Sequence, residues 1–173
     1  ILVIKLRDIG DNILCTPLID NLKLHLPKAS ISVLTWSYSK PVFENNPHVD
    51  QLFSLTKETP HKDAKKLLDQ LNSFNFDLTI STHSGGFASN LLSKIKTKYR
   101  INNYYRGRNK AYNLITQESD YYRSSIERDL DCLRSLGLEP IDLKTQLFPS
   151  NNEILAAKNN FKDRGINPNL KKV

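Results

Sequence analysis

The sequence predicts an α/β fold in which a Rossmann-like parallel sheet carries helices on both faces. Short apolar runs alternate with helical patterns four times within residues 1–102, and this alternation is typical of βαβ units. The first run, ILVIKL (1–6), is almost continuously apolar, as strands buried on both faces are. The chain has 173 residues, 39% of them hydrophobic, which is enough for one domain with a substantial core.

The first third of the chain contains three predicted strands. After residues 1–6, apolar residues at helical spacing predict a helix that Pro27 ends. Pro17 lies inside this pattern, so the helix either kinks there or restarts with Thr16 as its N-cap. Residues 31–36 and 49–55 are the second and third predicted strands, with a short helix or turn between them.

The middle of the chain continues the alternation. An amphipathic helix with a lysine-rich outer face precedes a fourth strand at residues 76–82. The loop HSGG (83–86) then begins a helix that leads to a fifth strand at residues 98–102. We predict that residues 104–120 are irregular.

Two further helices complete the chain. The first has an apolar inner face and ends at Gly137, where a left-handed glycine is the usual terminator. An extended stretch at residues 143–148 follows. Ser150 and Glu153 have the spacing of a capping box and begin the last helix, which ends at Gly165.

The net charge of +7 is concentrated in one part of the chain. No acidic residue lies between Leu78 and Gln117, and the excess of positive charge comes from the bases in that stretch. A local anionic partner is therefore more plausible than a generally basic surface. With the tyrosines among them, these bases suit an anionic glycan, single-stranded nucleic acid or a solvated loop without a ligand. The bases are Lys94, Lys96, Lys98, Arg100, Arg106, Arg108 and Lys110.

The remaining composition limits the class of protein. Cys15 and Cys132 lie far apart and within apolar patterns, so we predict buried free thiols. No apolar run approaches the ~20 residues that cross a bilayer, and the N-terminus has no secretion-signal pattern. We therefore expect a cytoplasmic protein. The chain contains no methionine, and both of its ends look cut, so we expect it to be part of a longer protein.

The candidate site lies where the first strand ends, because open parallel sheets bind ligands beyond the carboxyl ends of their strands. The turn LRDIGD (6–11) has neither a dinucleotide-binding nor a P-loop glycine pattern. Gly10 permits close approach of a ligand, and Asp11 follows at the start of a helix. From spacing alone Asp11 either caps that helix or faces a substrate. His83, at the end of the fourth strand, is either a structural hydrogen-bonding residue or a substrate contact. A second basic loop, around Lys57, His61 and Lys62, follows the third strand and is predicted to face the same edge.

These motifs together resemble a known family. A strand, a basic residue, Gly-Asp, an apolar helix through Thr-Pro and a later proline are followed by NPHVD (46–50), FDLTISTHSGG (76–86) and IERDLDCLRSLGL (126–138). The pattern is similar to that of glycosyltransferase family 9, the ADP-heptose:lipopolysaccharide heptosyltransferases. Asn12 departs from it where the family usually has an aliphatic residue, a change expected to be of no consequence. Ser124 or Ser125 departs from it where a histidine is common.

The resemblance implies a GT-B fold whose N-terminal, acceptor-side domain is this chain. Residues 1–149 would form that Rossmann-like domain, and residues 150–173 a linker helix and the start of a donor-binding domain. The implied reaction transfers heptose from ADP-heptose to the inner core of lipopolysaccharide with inversion. It implies no metal and no cofactor besides the nucleotide-sugar donor, which would bind mainly to the second domain.

The resemblance also implies roles for single residues. Asp11 would be the general base that accepts the proton of the acceptor hydroxyl. Basic charge would help the protein to rest on anionic lipid at the inner membrane. The alternatives are a non-catalytic α/β module that binds RNA or another anionic ligand through residues 94–112, and a degenerate family member retained as a scaffold. The residues predicted to bind the acceptor are Lys5, Arg7, Gly10, His83, Ser84, Arg106, Arg108 and Lys110.

Overall fold

A parallel sheet forms the centre of the computed structural model, which describes residues 1–58, 61–82, 85–103, 112–116 and 123–167. The order of its strands is β3, β2, β1, β4, β5, β6, and neighbouring strands are all parallel. The predicted α/β fold with a parallel sheet is confirmed. The strands are β1 (Leu2–Lys5), β2 (Ser32–Trp36), β3 (Gln51–Leu55), β4 (Leu78–Ser81), β5 (Tyr99–Asn102) and β6 (Leu114–Ile115).

Helices cover both faces of this sheet, as predicted. A 3-10 helix, Ser37–Val42, follows β2. The α-helices are α1 (Ile9–Ile13), α2 (Thr16–His25), α3 (His61–Ser73), α4 (Gly86–Lys94), α5 (Ser125–Arg134) and α6 (Asn151–Asp163).

Two apolar cores result, one on each face. Successive residues of a strand point to opposite faces, so Val3 enters the core formed with α2 and α5, while Leu2 and Ile4 enter the core formed with α3 and α4. These three side chains are fully buried, and each such burial contributes roughly 1.5–3 kcal/mol to folding. Strand β1 is therefore enclosed on both faces.

The helix predicted after β1 is two helices, because the chain restarts before Pro17. Leu14 and Cys15 separate α1 from α2, and the N-cap of α2 is Cys15, not Thr16. The Thr16 hydroxyl instead donates to the carbonyl of Ile13 at 2.9 Å. Proline is tolerated in the first turn of a helix because its missing N–H would have no partner there.

One prediction of local structure needs correction. Residues 104–120 are predicted to be irregular, but Leu114–Ile115 forms strand β6. Residues 143–148, which are predicted to be extended, lie outside the helices and strands. The preceding residues are held against α2 by the buried Asn21, whose Oδ1 accepts from the backbone N–H groups of Ile141 at 2.6 Å and Asp142 at 3.2 Å.

The last helix begins and ends as predicted. The Ser150 hydroxyl accepts from the Glu153 backbone, and the Glu153 carboxylate accepts from the Ser150 backbone, which completes the capping box. Gly165 follows with a φ of 72°. No residue of α6 is buried. Within the described part of the chain, no helix has the length and apolar content needed to cross a membrane.

Both cysteines are free and buried, as predicted. Burial raises the pKa of the Cys15 thiol to about 12, so it is uncharged at neutral pH. The Cys132 thiol lies 3.2 Å from the Asn103 Oδ1 atom, to which it donates. These thiols act as small core side chains.

A buried ion pair joins β1 to α5. The Lys5 ammonium lies 2.6 Å from an oxygen of Asp129, and both side chains are almost fully buried. Burial raises the pKa of the Asp129 carboxyl to about 6, against the attraction of Lys5, which lowers it. Lys5 was predicted to bind the acceptor, but its side chain lies on the Val3 face of β1 and its charge is already paired inside the protein.

We expect Asp129→Leu to lower the free energy of unfolding by about 3–5 kcal/mol, because it leaves the Lys5 ammonium buried without a counter-ion. The double variant Lys5→Met, Asp129→Leu should recover most of that loss. Urea denaturation at pH 7 measures both. A double variant as unstable as Asp129→Leu alone would show that the pair is not an isolated charge interaction.

Candidate functional site

The candidate site lies at the carboxyl ends of β1 and β4, where the strand order changes direction. Strands β2 and β3 extend the sheet on one side of β1, and β4, β5 and β6 extend it on the other. In open α/β sheets such a reversal leaves a crevice that binds ligands. The turn after β1 supplies Arg7 and Asp11. His83 and Ser84 follow β4 in sequence but lie outside the described residues.

Asp11 stands in the first turn of α1 and does not cap it. The N-cap is Asp8, and no side chain caps this helix. Oδ2 of Asp11 accepts from Nε of Arg7 at 3.0 Å, and the Asp11 side chain is 28% exposed. Among the described residues, Oδ1 of Asp11 has no hydrogen-bond partner. A partly exposed carboxylate with a free oxygen can accept a hydrogen bond from a ligand hydroxyl.

A second carboxylate at this edge, Asp8, has different partners. The Tyr38 hydroxyl donates to Oδ1 of Asp8 at 2.6 Å, and this hydrogen bond lowers the pKa of Asp8. The Lys57 ammonium lies 3.9 Å from the same oxygen and 5.2 Å from the centre of the Tyr38 ring. The prediction that a basic loop after β3 faces this edge is confirmed for Lys57, while His61 and Lys62 lie at the start of α3. The sequence alone does not indicate the hydrogen bond between Asp8 and Tyr38, because it joins residues 30 positions apart.

Asn12 is the most extensively hydrogen-bonded side chain of the turn. It is fully buried, and its amide contacts the carbonyls of Arg7 and Asp8 and the hydroxyl of Thr35. The expectation that this departure from the family pattern is of no consequence is therefore wrong. An aliphatic side chain at this position would leave the two carbonyls without these bonds.

Gly10 lies beside open space. It is exposed, and a Cβ atom built on it meets no atom within 4 Å. Its φ is not positive, so neither backbone conformation nor packing requires glycine here. The close approach of a ligand remains the predicted reason for glycine at this position.

The basic residues of the predicted glycan-binding segment do not all lie at this edge. Lys94, at the end of α4, and Lys98 precede β5, and Arg100 lies near the amino end of that strand, so these residues are at the opposite edge of the sheet. The Lys98 ammonium lies 5.1 Å from the centre of the Tyr99 ring. An Arg100 guanidinium N–H donates to the carbonyl of Ile95 at 2.7 Å. The predicted acceptor contacts Arg106, Arg108 and Lys110 lie outside the described residues.

Two aromatic side chains flank the end of β1. Trp36 ends β2, and Phe87 lies in the first turn of α4, after β4. Their ring centres are 5.8 Å apart with an angle of 29° between the ring planes. Phe87 is 52% exposed. The site therefore has charged groups and an aromatic pair. Sequence periodicity does not indicate this combination, because the stacking joins a strand and a helix that lie far apart in the sequence.

Sequence comparison finds relatives among glycosyltransferases, although no family model matches. The chain is 23% identical over 149 residues to lipopolysaccharide heptosyltransferase 3 of Escherichia coli, a match that covers 80% of the chain and 43% of that relative. It is 31% identical over 101 residues to a putative glycosyltransferase of Haemophilus influenzae, which covers 58% of the chain and 29% of that relative. The chain thus spans less than half the length of these relatives.

Structure comparison finds the same fold in glycosyltransferases of known structure. A glycosyltransferase of family 9 from Veillonella parvula matches with a TM-score of 0.84 and 20% identity, over 97% of this chain and 50% of that one. The E. coli heptosyltransferase WaaC with ADP-2-deoxy-2-fluoro heptose matches with a TM-score of 0.70 and 14% identity, over 84% of this chain and 50% of that one. The resemblance to family 9 and the Rossmann-like fold are confirmed.

We expect Gly10→Ala to leave the free energy of unfolding unchanged or to raise it by about 0.4–1 kcal/mol, because the position is helical and the space is open. Gly137→Ala is the matched control, since its φ of 75° disfavours any side chain and the substitution should destabilise the fold. Urea denaturation compares the two. A loss of stability in Gly10→Ala as large as in the control would show that the space is not open.

Proposed function

We propose that this chain, whose sequence and fold resemble those of family 9 glycosyltransferases, is the acceptor-side half of such an enzyme. The donor would be ADP-heptose and the acceptor the anionic inner core of lipopolysaccharide. Support comes from the names of the relatives, which are lipopolysaccharide heptosyltransferases, and from structural neighbours solved with ADP-2-deoxy-2-fluoro heptose and with ADP.

The observation that carries the proposal is the placement of Asp11. At the switch point of the sheet stands a carboxylate whose Oδ2 is held by Arg7 and whose Oδ1 has no hydrogen-bond partner among the described residues. A general base needs to reach the proton that it accepts, and an acceptor hydroxyl can approach the Asp11 side chain, which is 28% exposed. This turn contains neither the glycine pattern of a dinucleotide-binding site nor that of a P-loop.

In the proposed reaction, Oδ1 of Asp11 accepts the proton of the acceptor hydroxyl. The hydroxyl oxygen forms a bond to the anomeric carbon while the bond from that carbon to the ADP oxygen breaks on the opposite face, so the configuration inverts. Arg7 holds the carboxylate in place through Oδ2. Proximity of the carboxylate and the hydroxyl supplies much of the rate in such an arrangement.

The second half of the cleft would belong to another domain. We propose that residues 1–149 hold the acceptor and that residues 150–173 lead into the donor-binding domain. The exposed apolar side chains of α6, among them Ile154, Leu155 and Phe161, support this division, as does the length of the relatives, which exceeds twice that of their match to this chain. In a cell this enzyme would work at the cytoplasmic face of the inner membrane.

The proposed base is tested in the enzyme that combines this domain with a donor-binding domain. There we expect Asp11→Asn to lower the rate of heptose transfer about 10²- to 10⁴-fold, because general base catalysis usually contributes a factor of this size. Transfer from ADP-heptose to a lipid-linked inner-core acceptor measures it, with circular dichroism as the check on folding. The matched control is Asp8→Asn, which removes a neighbouring carboxylate and should retain most of the activity. Transfer by folded Asp11→Asn near the wild-type rate would exclude Asp11 as the base.

Binding of the acceptor provides a test that needs no turnover. We expect Arg7→Gln to weaken binding of a phosphorylated inner-core oligosaccharide about 10- to 150-fold, because a hydrogen bond to a charged group contributes about 1.5–3 kcal/mol. Lys98→Gln, at the opposite edge of the sheet, should have no effect. Isothermal titration calorimetry measures both. Tight binding of single-stranded RNA with a steep salt dependence, weakened by Lys98→Gln, would instead favour the nucleic-acid module.

A further inference from the structure

We propose that Asn12 is a positioning residue, which fixes the backbone from which both Arg7 and Asp11 extend. The inference rests on the proposed function of Asp11 and adds a residue to the machinery of the same site. It does not follow from the resemblance to family 9, whose pattern usually has an aliphatic residue at this position.

The Asn12 amide closes the turn between β1 and α1. Its Nδ2 atom donates to the carbonyl of Arg7 at 2.7 Å and to the carbonyl of Asp8 at 2.9 Å. The backbone N–H of Asn12 also donates to the carbonyl of Asp8, at 3.1 Å. Three N–H groups of Asn12 therefore donate to the carbonyls of two consecutive residues, Arg7 and Asp8. Together they fix the backbone where β1 leads into α1.

The orientation of the amide is determined by its partners. Both carbonyls accept hydrogen bonds and cannot donate, so the nitrogen of the amide must face them and Oδ1 must face β2. There the Thr35 hydroxyl lies 2.9 Å from Oδ1 of Asn12 and 3.0 Å from the carbonyl of Lys5. Thr35 is fully buried and pairs with Lys5 in the register of β1 and β2. The turn is thus attached to the centre of the sheet.

A further contact holds the same peptide group. The Ser39 hydroxyl donates to the carbonyl of Arg7 at 3.1 Å, so the 3-10 helix and Asn12 hold Arg7 from two directions. Arg7 in turn donates to Asp11, which immediately precedes Asn12. Both members of the Arg7 and Asp11 pair therefore extend from backbone that Asn12 fixes, although Asn12 itself is buried and does not face the crevice.

A second buried asparagine separates positioning from general stability. Asn21, in α2, is also fully buried, and its Nδ2 donates to the carbonyls of Pro17 at 2.7 Å and Asp142 at 2.5 Å. Asn21 holds residues 141–142 and, among the described residues, makes no hydrogen bond to the turn that carries Asp11. Asn12→Leu and Asn21→Leu therefore remove the same kind of interaction from two places.

The test compares heptose transfer by these two variants in the two-domain enzyme, with rates corrected for the folded fraction found by thermal denaturation. We expect Asn12→Leu to lower kcat about 10–100-fold with KM changed less than about 3-fold, because small displacements of a reacting group are costly. Asn21→Leu should lower thermal stability and leave the corrected kcat unchanged. Thr35→Val, which removes one of the bonds to Asn12, should lower kcat less than Asn12→Leu. Equal corrected rates for the wild type and Asn12→Leu, or equal losses in both asparagine variants, would overturn the inference.

Hydrogen exchange distinguishes failure of the inference from failure of the proposed function. If the wild type does not transfer heptose, the proposed function is wrong and the kinetic comparison does not apply. In that case, amide exchange over residues 9–14 decides whether Asn12 fixes the turn. We expect exchange at least 10-fold faster there in Asn12→Leu and unchanged exchange there in Asn21→Leu. Exchange over residues 9–14 that is the same in Asn12→Leu and the wild type would overturn the inference by itself.

Discussion

The structure depends on the enclosure of β1 along both of its sides and on both of its faces. Its backbone is hydrogen-bonded to β2 on one side and to β4 on the other, and its side chains enter apolar cores on both faces. After Lys5 the chain can continue only along the strand axis, so the polar residues that follow β1 emerge at the carboxyl edge of the sheet. The position of Asp11 is a consequence of this enclosure.

Two buried polar contacts make the enclosure compatible with a charged turn. Buried polar groups are costly unless they are hydrogen-bonded. In these two contacts, Lys5 is paired with Asp129 and Asn12 with Thr35. The ion pair of Lys5 and Asp129 attaches α5 to the last residue of β1, and the hydrogen bonds of Asn12 and Thr35 attach the turn to β2. One contact secures a helix that covers the sheet, and the other orients the residues that face the crevice.

The sequence predicted what depends on local periodicity and not what depends on distant partners. Strands β1 to β5 were predictable because each is a short run rich in apolar and β-branched residues, continuous where the strand is buried on both faces, as in β1. The two residues of β6 are too few to show a pattern. The position of Asp11 in the first turn after β1 was predictable from the apolar strand that precedes it, whereas spacing alone left open whether its carboxylate caps the helix or faces a substrate. The role of Lys5 was not, since its partner Asp129 is 124 positions away and a basic residue at the end of a strand does not reveal which face it occupies. Asn12 was underestimated for the same reason, because its bond to Thr35 crosses to another strand.

The stacked aromatic pair has an optical consequence. Trp36 is the only tryptophan of the chain, and it lies against Phe87 at the edge where the ligand is proposed to bind. Its fluorescence emission comes from a single environment, whose polarity changes when a molecule displaces water from the exposed ring beside it. The protein therefore contains a natural spectroscopic probe of its own crevice, and occupancy can be followed without a label.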